Sequence, residues 1–225
     1  MPLQNGEHPI VIPRPSGARP GGPAPWELSA APSAIDELTA ALDAYVPVPP
    51  DASLIGPHMR EAAVLVPFVE RDSGPEILIT KRPGHMPSHR GELAFPGGGR
   101  DDTDVDLWAT ARREAREEIG LAEDMVGLLS ELDTLVTVGS RFVLTPFAGV
   151  VDPQARIASS SDEVDRVLSI SIARLLEPGV FTEEIWPWPD GEEREIYFFT
   201  LDEDDIIWGA TARILYRLLE IVLIR

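Results

Sequence analysis

From Gly91 to Leu121 the chain reads GELAFPGGGRDDTDVDLWATARREAREEIGL, and the fold turns on the second half of that stretch. Leu107, Ala111, Ala115 and Ile119 recur at steps of four, the pattern of a helix with one apolar flank. Beside that flank stand Glu114, Glu117 and Glu118, which at roughly 100° of rotation per residue share an arc of about 100°. Like charges so spaced on a solvated helix repel by only roughly 0.2–0.5 kcal/mol per pair, so an acidic face open to water is one reading. The other is a site, because these carboxylates border the core flank. Gly120 fits the position that ends the helix, and Asp104 or Asp106 can cap its start. Phe95-Pro96 followed by Gly97-Gly98-Gly99 can bring backbone close to the glutamates, since glycine offers no Cβ to obstruct it. Three carboxylates with a backbone carbonyl make an all-oxygen, highly charged donor set, suited to Mg²⁺ or Mn²⁺ rather than zinc.

Outward from this stretch the chain divides into an extension, residues 1–57, and a main domain, residues 58–225. Residues 1 to about 32 are rich in Pro and Gly without helical or strand periodicity, and are expected to be disordered or loosely draped. Ser33 opens a capping pattern, and Ile35, Leu38, Leu42 and Tyr45 follow at helical spacing. With Trp26, this short helix is expected to cover a flank of the fold. In the main domain, 62–69 and 76–81 read as strands of a hairpin, with Asp72-Ser73-Gly74-Pro75 as the turn. After the glutamate helix, strands are expected over 132–138, 142–151 and 167–170, a short helix at 174–177, and a further strand over 196–199. The aromatic turn Trp186-Pro187-Trp188-Pro189 reads more readily as core than as a stacking platform. The fold class is α/β (α+β), with a mixed sheet and interspersed helices.

Composition narrows the function. With 38 acidic and 19 basic residues the net charge is −19, which argues against a general binder of nucleic acid or anionic membrane. There is no cysteine, so thiolate metal sites and thiol nucleophiles are excluded. Absence of a basic segment followed by an apolar run at the amino terminus makes cytoplasmic the default expectation. Residues 81–100 run against the acidic trend: Lys81, Arg82, Arg90 and Arg100 face Glu92 alone, with His85 and His89 able to add charge. Such an island reads either as solubility charge or as phosphate recognition beside the glutamates.

The Gly98–Leu121 stretch resembles the Nudix box, G-x5-E-x7-R-E-U-x-E-E-x-G-U with U aliphatic. Arg113-Glu114-Ala115-Arg116-Glu117-Glu118-Ile119-Gly120-Leu121 matches its second half; the first half is one residue longer, with Asp104 where the first glutamate would stand. The longer spacing is similar to the coenzyme A pyrophosphatase subgroup, as are Leu78-Ile79-Thr80-Lys81-Arg82 and Ser88-His89-Arg90-Gly91-Glu92-Leu93-Ala94-Phe95-Pro96-Gly97-Gly98, although Met86-Pro87 replaces an expected Leu-Arg pair. Trp208-Gly209-Ala210-Thr211-Ala212 resembles that subgroup's W-G-x-T-A run.

This resemblance implies a Nudix fold, a mixed sheet sandwiched between helices, and metal-dependent hydrolysis of the pyrophosphate bond of coenzyme A or its thioesters to 3′,5′-ADP and 4′-phosphopantetheine. It implies Glu117, Glu118 and the Gly97 carbonyl as ligands of Mg²⁺ or Mn²⁺, Glu114 as ligand or activator of water, and Arg113 as the group orienting the glutamates. Glu163 reads either as an additional ligand or base, or as a surface acid before a strand. Lys81, Arg82, His89 and Arg90 are the candidate phosphate holders. The expected partner is a small nucleotide, not nucleic acid or membrane, and a homodimer is conceivable through the C-terminal helix. A Nudix hydrolase of ADP-ribose, dinucleotides or oxidised nucleoside triphosphates, and a non-catalytic nucleotide sensor, stay as alternatives. Val136 and Thr137 stand where the ADP-ribose and dinucleotide groups carry proline or tyrosine, and sensors commonly lack box glutamates that this chain keeps.

Overall fold

The computed structural model describes residues 12–85, 90–137 and 141–224. Its strands are β1 (Arg19–Pro20), β2 (Arg60–Val69), β3 (Glu76–Lys81), β4 (Leu93–Ala94), β5 (Gly97–Gly99), β6 (Val126–Glu131), β7 (Leu135–Thr137), β8 (Phe142–Val151), β9 (Arg166–Ser171), β10 (Phe181–Pro187), β11 (Glu193–Thr200) and β12 (Ile206–Ile207). The α-helices are α1 (Ile35–Asp43), α2 (Leu107–Ile119), α3 (Ile172–Leu175) and α4 (Gly209–Leu223). Among the described residues no helix is long and apolar enough to cross a membrane.

The main sheet runs β4-β3-β2-β8-β6, with β5 added to β2, β7 to β8 and β9 to β3. It is mixed: β2 and β8 are parallel, whereas β2 pairs antiparallel with β3 and β5. From Ala62 onward β2 is buried on both faces, and its alternating residues divide between two cores. Ala63, Leu65 and Val69 pack with Ala111, Ala115 and Ile119 of α2. Val64, Val66 and Phe68 pack into the larger core with α1 and α4. The sheet is thus held between helices, and the floor under α2 belongs to its central strand.

A second, antiparallel sheet, β1-β10-β11-β12, was not legible beyond the strand near 196–199. Trp188–Glu192 forms its hairpin turn, with Gly191 at φ 89°. Trp186 is buried against Phe198, a structural role.

Two expectations need correction. The described part of the Pro-rich stretch is ordered: β1 pairs with β10, Arg19 opposite Ile185 and Pro20 opposite Glu184. Arg14 and Arg19 bond Glu184 and Glu193, and Trp26, 2% exposed, packs among Phe181, Phe199 and Tyr216. The physical reason is that a proline-rich segment loses little backbone freedom on docking, while one buried tryptophan covers a large apolar area. The cap of α1 also differs. Ser33 bonds Glu37 from outside the helix, the N-cap is Ala34, and the amide of Ile35 is satisfied by Glu70 at the end of β2. A carboxylate distant in sequence does the work assigned to a local one.

Candidate active site

Helix α2 has the expected ends. The Asp106 side chain accepts from the Ala109 amide at 2.7 Å, and Gly120 closes the helix at φ 67°, bonding the Arg116 carbonyl. Burial of Ala111, Ala115 and Ile119 against β2 fixes the rotation of the helix, so Glu114 and Glu118 face the glycine strand β5. None of the three glycines has a positive φ, and Gly97 and Gly98 are required by proximity. A Cβ on Gly98 would lie 2.6 Å from a Glu114 carboxylate oxygen, and one on Gly97 would lie 2.6 Å from the Val64 Cα. The Gly97 amide donates to Glu118 Oε2 at 3.3 Å. The observed contact of Gly97 with this glutamate is therefore through its N–H.

Arg113 is the hub of the site. Its guanidinium bonds Asp104 at 3.0 Å, Glu114 at 2.9 Å, Glu117 at 3.1 Å and the Gly99 carbonyl at 2.9 Å. The sequence presents Asp104 as a possible cap and as the residue at the first-glutamate place of the box. It is buried, accepts from the Thr110 hydroxyl and the Asp101 amide, and is held at about pH 2 by Arg113 first of all. Its position at the first-glutamate place of the box was the signal that could have found it.

The three box glutamates differ in environment. Glu117 is half-exposed and also approached by Arg116. Glu114 is mostly covered, and burial raises its pKa against the opposing pull of Arg113. Glu118 is 9% exposed. Burial pushes it up to about 7; the Gly97 N–H opposes this, the charges of Glu114 and Glu163 add to it, and Arg82 counters them. A nearby cation would favour its ionised form.

Arg82 ends the β3–β4 hairpin, where its amide bonds the Glu92 carbonyl and its carbonyl takes the Gly91 amide. Its guanidinium reaches Glu163 at 3.3 Å, so both residues lie within range of Glu118. Lys81, one residue earlier, is directed elsewhere: its Nζ lies 2.8 Å from buried Asp205, which Arg166 also contacts. Alternation along β3 separates these neighbours, and Lys81 ties the main sheet to the start of β12 instead of joining the glutamates. Arg90 is exposed at the hairpin turn, and His89 lies outside the described residues. A cleft of about 750 Å³ is walled by Pro83–His85, Ser159–Asp162, Val164 and Asp165, the sequence neighbours of Arg82 and Glu163. Ser160 closes it against α2 through bonds to the Glu117 and Glu118 carbonyls.

Among the described residues, no three His, Asp or Glu side chains already converge as a set of metal ligands. Arg113 and Arg82 stand among the carboxylates in the place of a cation. The chemistry of the donors nevertheless fits a hard divalent ion: all are carboxylate oxygens, one of them is buried, and Gly98 keeps clear the space against Glu114 that a Cβ would fill.

Comparison with known proteins agrees with this geometry. The NUDIX domain model matches residues 59–203. The proteins named Uncharacterized Nudix hydrolase NudL in Salmonella paratyphi B and Salmonella newport are each 35% identical over 164 residues, covering 72% of this chain and 82% of theirs. Among solved structures, a MutT/nudix family protein from Enterococcus faecalis aligns over 83% of this chain and 68% of its own, at 15% identity and a TM-score of 0.49. With a domain match reaching from the start of the main sheet past the glutamate helix, and relatives at this identity, the chain belongs to the Nudix family of pyrophosphate hydrolases.

Proposed function

We propose that the protein hydrolyses the pyrophosphate bond of coenzyme A or its thioesters, giving 3′,5′-ADP and 4′-phosphopantetheine or its acyl form. The observation that carries this reading is the joining of two sequence patterns at one place. Of the Leu78–Gly98 run, which resembles the coenzyme A pyrophosphatase subgroup, Thr80 and Lys81 pair with Ala94 and Leu93, Arg82 follows directly, and the run ends in the glycine strand touching Glu114 and Glu118.

A diphosphate resists hydrolysis because its negative oxygens repel an incoming nucleophile, so the site must neutralise charge and position water. Glu117 and Glu118 would hold Mg²⁺ or Mn²⁺, which when bound supplies charge neutralisation on the phosphates and a more acidic water. Glu114, fixed by Arg113 and raised by burial, accepts the proton of the attacking water. The water oxygen bonds one phosphorus, the bond from that phosphorus to the bridging oxygen breaks, and the bridging oxygen leaves on the other phosphate. Arg113 and Asp104 keep Glu114 and Glu117 oriented without touching substrate. Arg82 and Arg90 are the phosphate holders in this reading.

Turnover of coenzyme A, ADP-ribose and 8-oxo-dGTP, side by side with Mg²⁺ and with Mn²⁺, tests the substrate assignment. Coenzyme A is expected to have the largest kcat/KM; a preference for either other compound would keep the hydrolytic site and overturn the use made of the Leu78–Gly98 run.

A further inference from the structure

We infer that Arg82 is the chain's own counter-cation for the glutamate face: it balances Glu118 and Glu163 when no metal is seated, and exchanges them for a substrate phosphate when one is. Divalent cation and phosphate ligand then bind cooperatively through one side chain. The inference rests on the reading of the glutamate face as a cation site.

Its basis is the contrast between two arginines. Arg113 is locked by Asp104, Glu114, Glu117 and a backbone carbonyl. Among the described residues Arg82 makes one side-chain hydrogen bond, to Glu163 at 3.3 Å, long for a charge-assisted pair. Its Nε is buried and has no hydrogen-bond partner among the described residues, so a donor stands ready for an acceptor that those residues do not supply. The Glu163 side chain is 62% exposed and that of Arg82 26%, so the pair is a weak, solvent-screened one that is readily exchanged. The backbone beneath cannot follow the exchange. Arg82 is pinned to Glu92 and Gly91, and its neighbour Lys81 to Asp205. Only the side chain is free to change partners.

A divalent ion at Glu118 reverses the local field, repelling the guanidinium that the bare carboxylate attracts. A phosphate oxygen satisfies the guanidinium in turn, including Nε. Linkage makes the effect reciprocal: whatever the cation does for phosphate binding, phosphate does for the cation.

The test is Mn²⁺ titration of the full chain, followed by the EPR signal of free Mn²⁺, with and without saturating 3′,5′-ADP, for the unaltered protein, Arg82→Gln and Arg82→Lys. Without nucleotide, Arg82→Gln is expected to bind Mn²⁺ about three- to tenfold more tightly, because a competing positive charge is gone. 3′,5′-ADP should tighten Mn²⁺ binding to the unaltered chain and have little effect on Arg82→Gln. Arg82→Lys keeps the charge and loses the fork, so it should bind Mn²⁺ as the unaltered chain does with a smaller response to nucleotide; this arm decides if Arg82→Gln does not fold. Unchanged or weaker Mn²⁺ binding by Arg82→Gln, or an equal nucleotide response in all three proteins, overturns the inference alone. No Mn²⁺ binding by the unaltered chain overturns the cation site and the inference with it.

Discussion

The glutamate face of α2 and the aromatic patch around Trp26 lie on opposite sides of the main sheet and are built on opposite principles. On one side, Glu114, Glu117 and Glu118 crowd around a strand of glycines, and burial holds Glu118 at about pH 7. On the other, Trp26, Phe181, Phe199 and Tyr216 pack ring to ring, with Trp26 and Phe199 nearly parallel and 6.3 Å apart. The aromatic side gains stability from apolar area. The acidic side gives some up to keep charge concentrated, and Arg113 and Arg82 recover part of it. Changes on the aromatic side should therefore be read in stability, and changes on the acidic side in turnover.

The largest expected effect tests the acidic side. Glu117→Gln should lower kcat at least about a thousandfold, while leaving the thermal midpoint within a few degrees, since removing one of several crowded charges costs the fold little. A collapse of the fold in this variant would break the contrast. Trp26→Ala tests the other side, with an expected destabilisation of about 3–5 kcal/mol in urea unfolding and unchanged kcat per folded molecule. If kcat falls while stability holds, the N-terminal segment belongs to the site.

Between these extremes lies Asp104, which bears on both. Asp104→Asn leaves Arg113 without its main partner and should cost about 2–4 kcal/mol, with a fall in kcat of about 10- to 100-fold because Glu114 and Glu117 lose their orientation. The smallest effect is a pH dependence. Glu118 has a raised pKa in the fold, so between about pH 4.5 and about 7 the native state holds a proton that the unfolded chain has released. The stability this contributes is present below about pH 4.5 and is lost as pH rises through about 7, a difference on the order of 2 kcal/mol. Melting curves in chelator from pH 4.5 to 8 should show this loss in the unaltered chain and not in Glu118→Gln; parallel curves would place the strain elsewhere.

How much of this could be read beforehand differed between the two sides for a physical reason. The acidic side is local in sequence: the periodicity of Leu107, Ala111, Ala115 and Ile119, the cap at Asp106 and the left-handed Gly120 all lie within one short stretch, and the hairpin and glycine run precede it directly. The aromatic side is assembled from distant pieces. Arg19 pairs with Ile185, and nothing in a proline-rich segment announces a partner that far away. Strand β6 was missed for a related reason, because only Val126 in it is buried and its alternation is faint. Within the site itself, the residues whose surroundings the sequence does not announce are those whose partners are remote: Lys81 finds Asp205, Arg82 finds Glu163, and Asp104 becomes visible as the anchor of Arg113 only once the helix is folded. Residue types point to a kind of chemistry, and long-range pairing decides which of them come together.

The most direct measurement follows the ³¹P NMR spectrum of coenzyme A with the protein and Mg²⁺, alongside Glu117→Gln. The account predicts that the diphosphate resonances disappear and phosphomonoester resonances of 3′,5′-ADP and 4′-phosphopantetheine replace them, with the diphosphate persisting in the Glu117→Gln sample. Diphosphate left intact by the unaltered chain, or cleaved equally fast by Glu117→Gln, would contradict it.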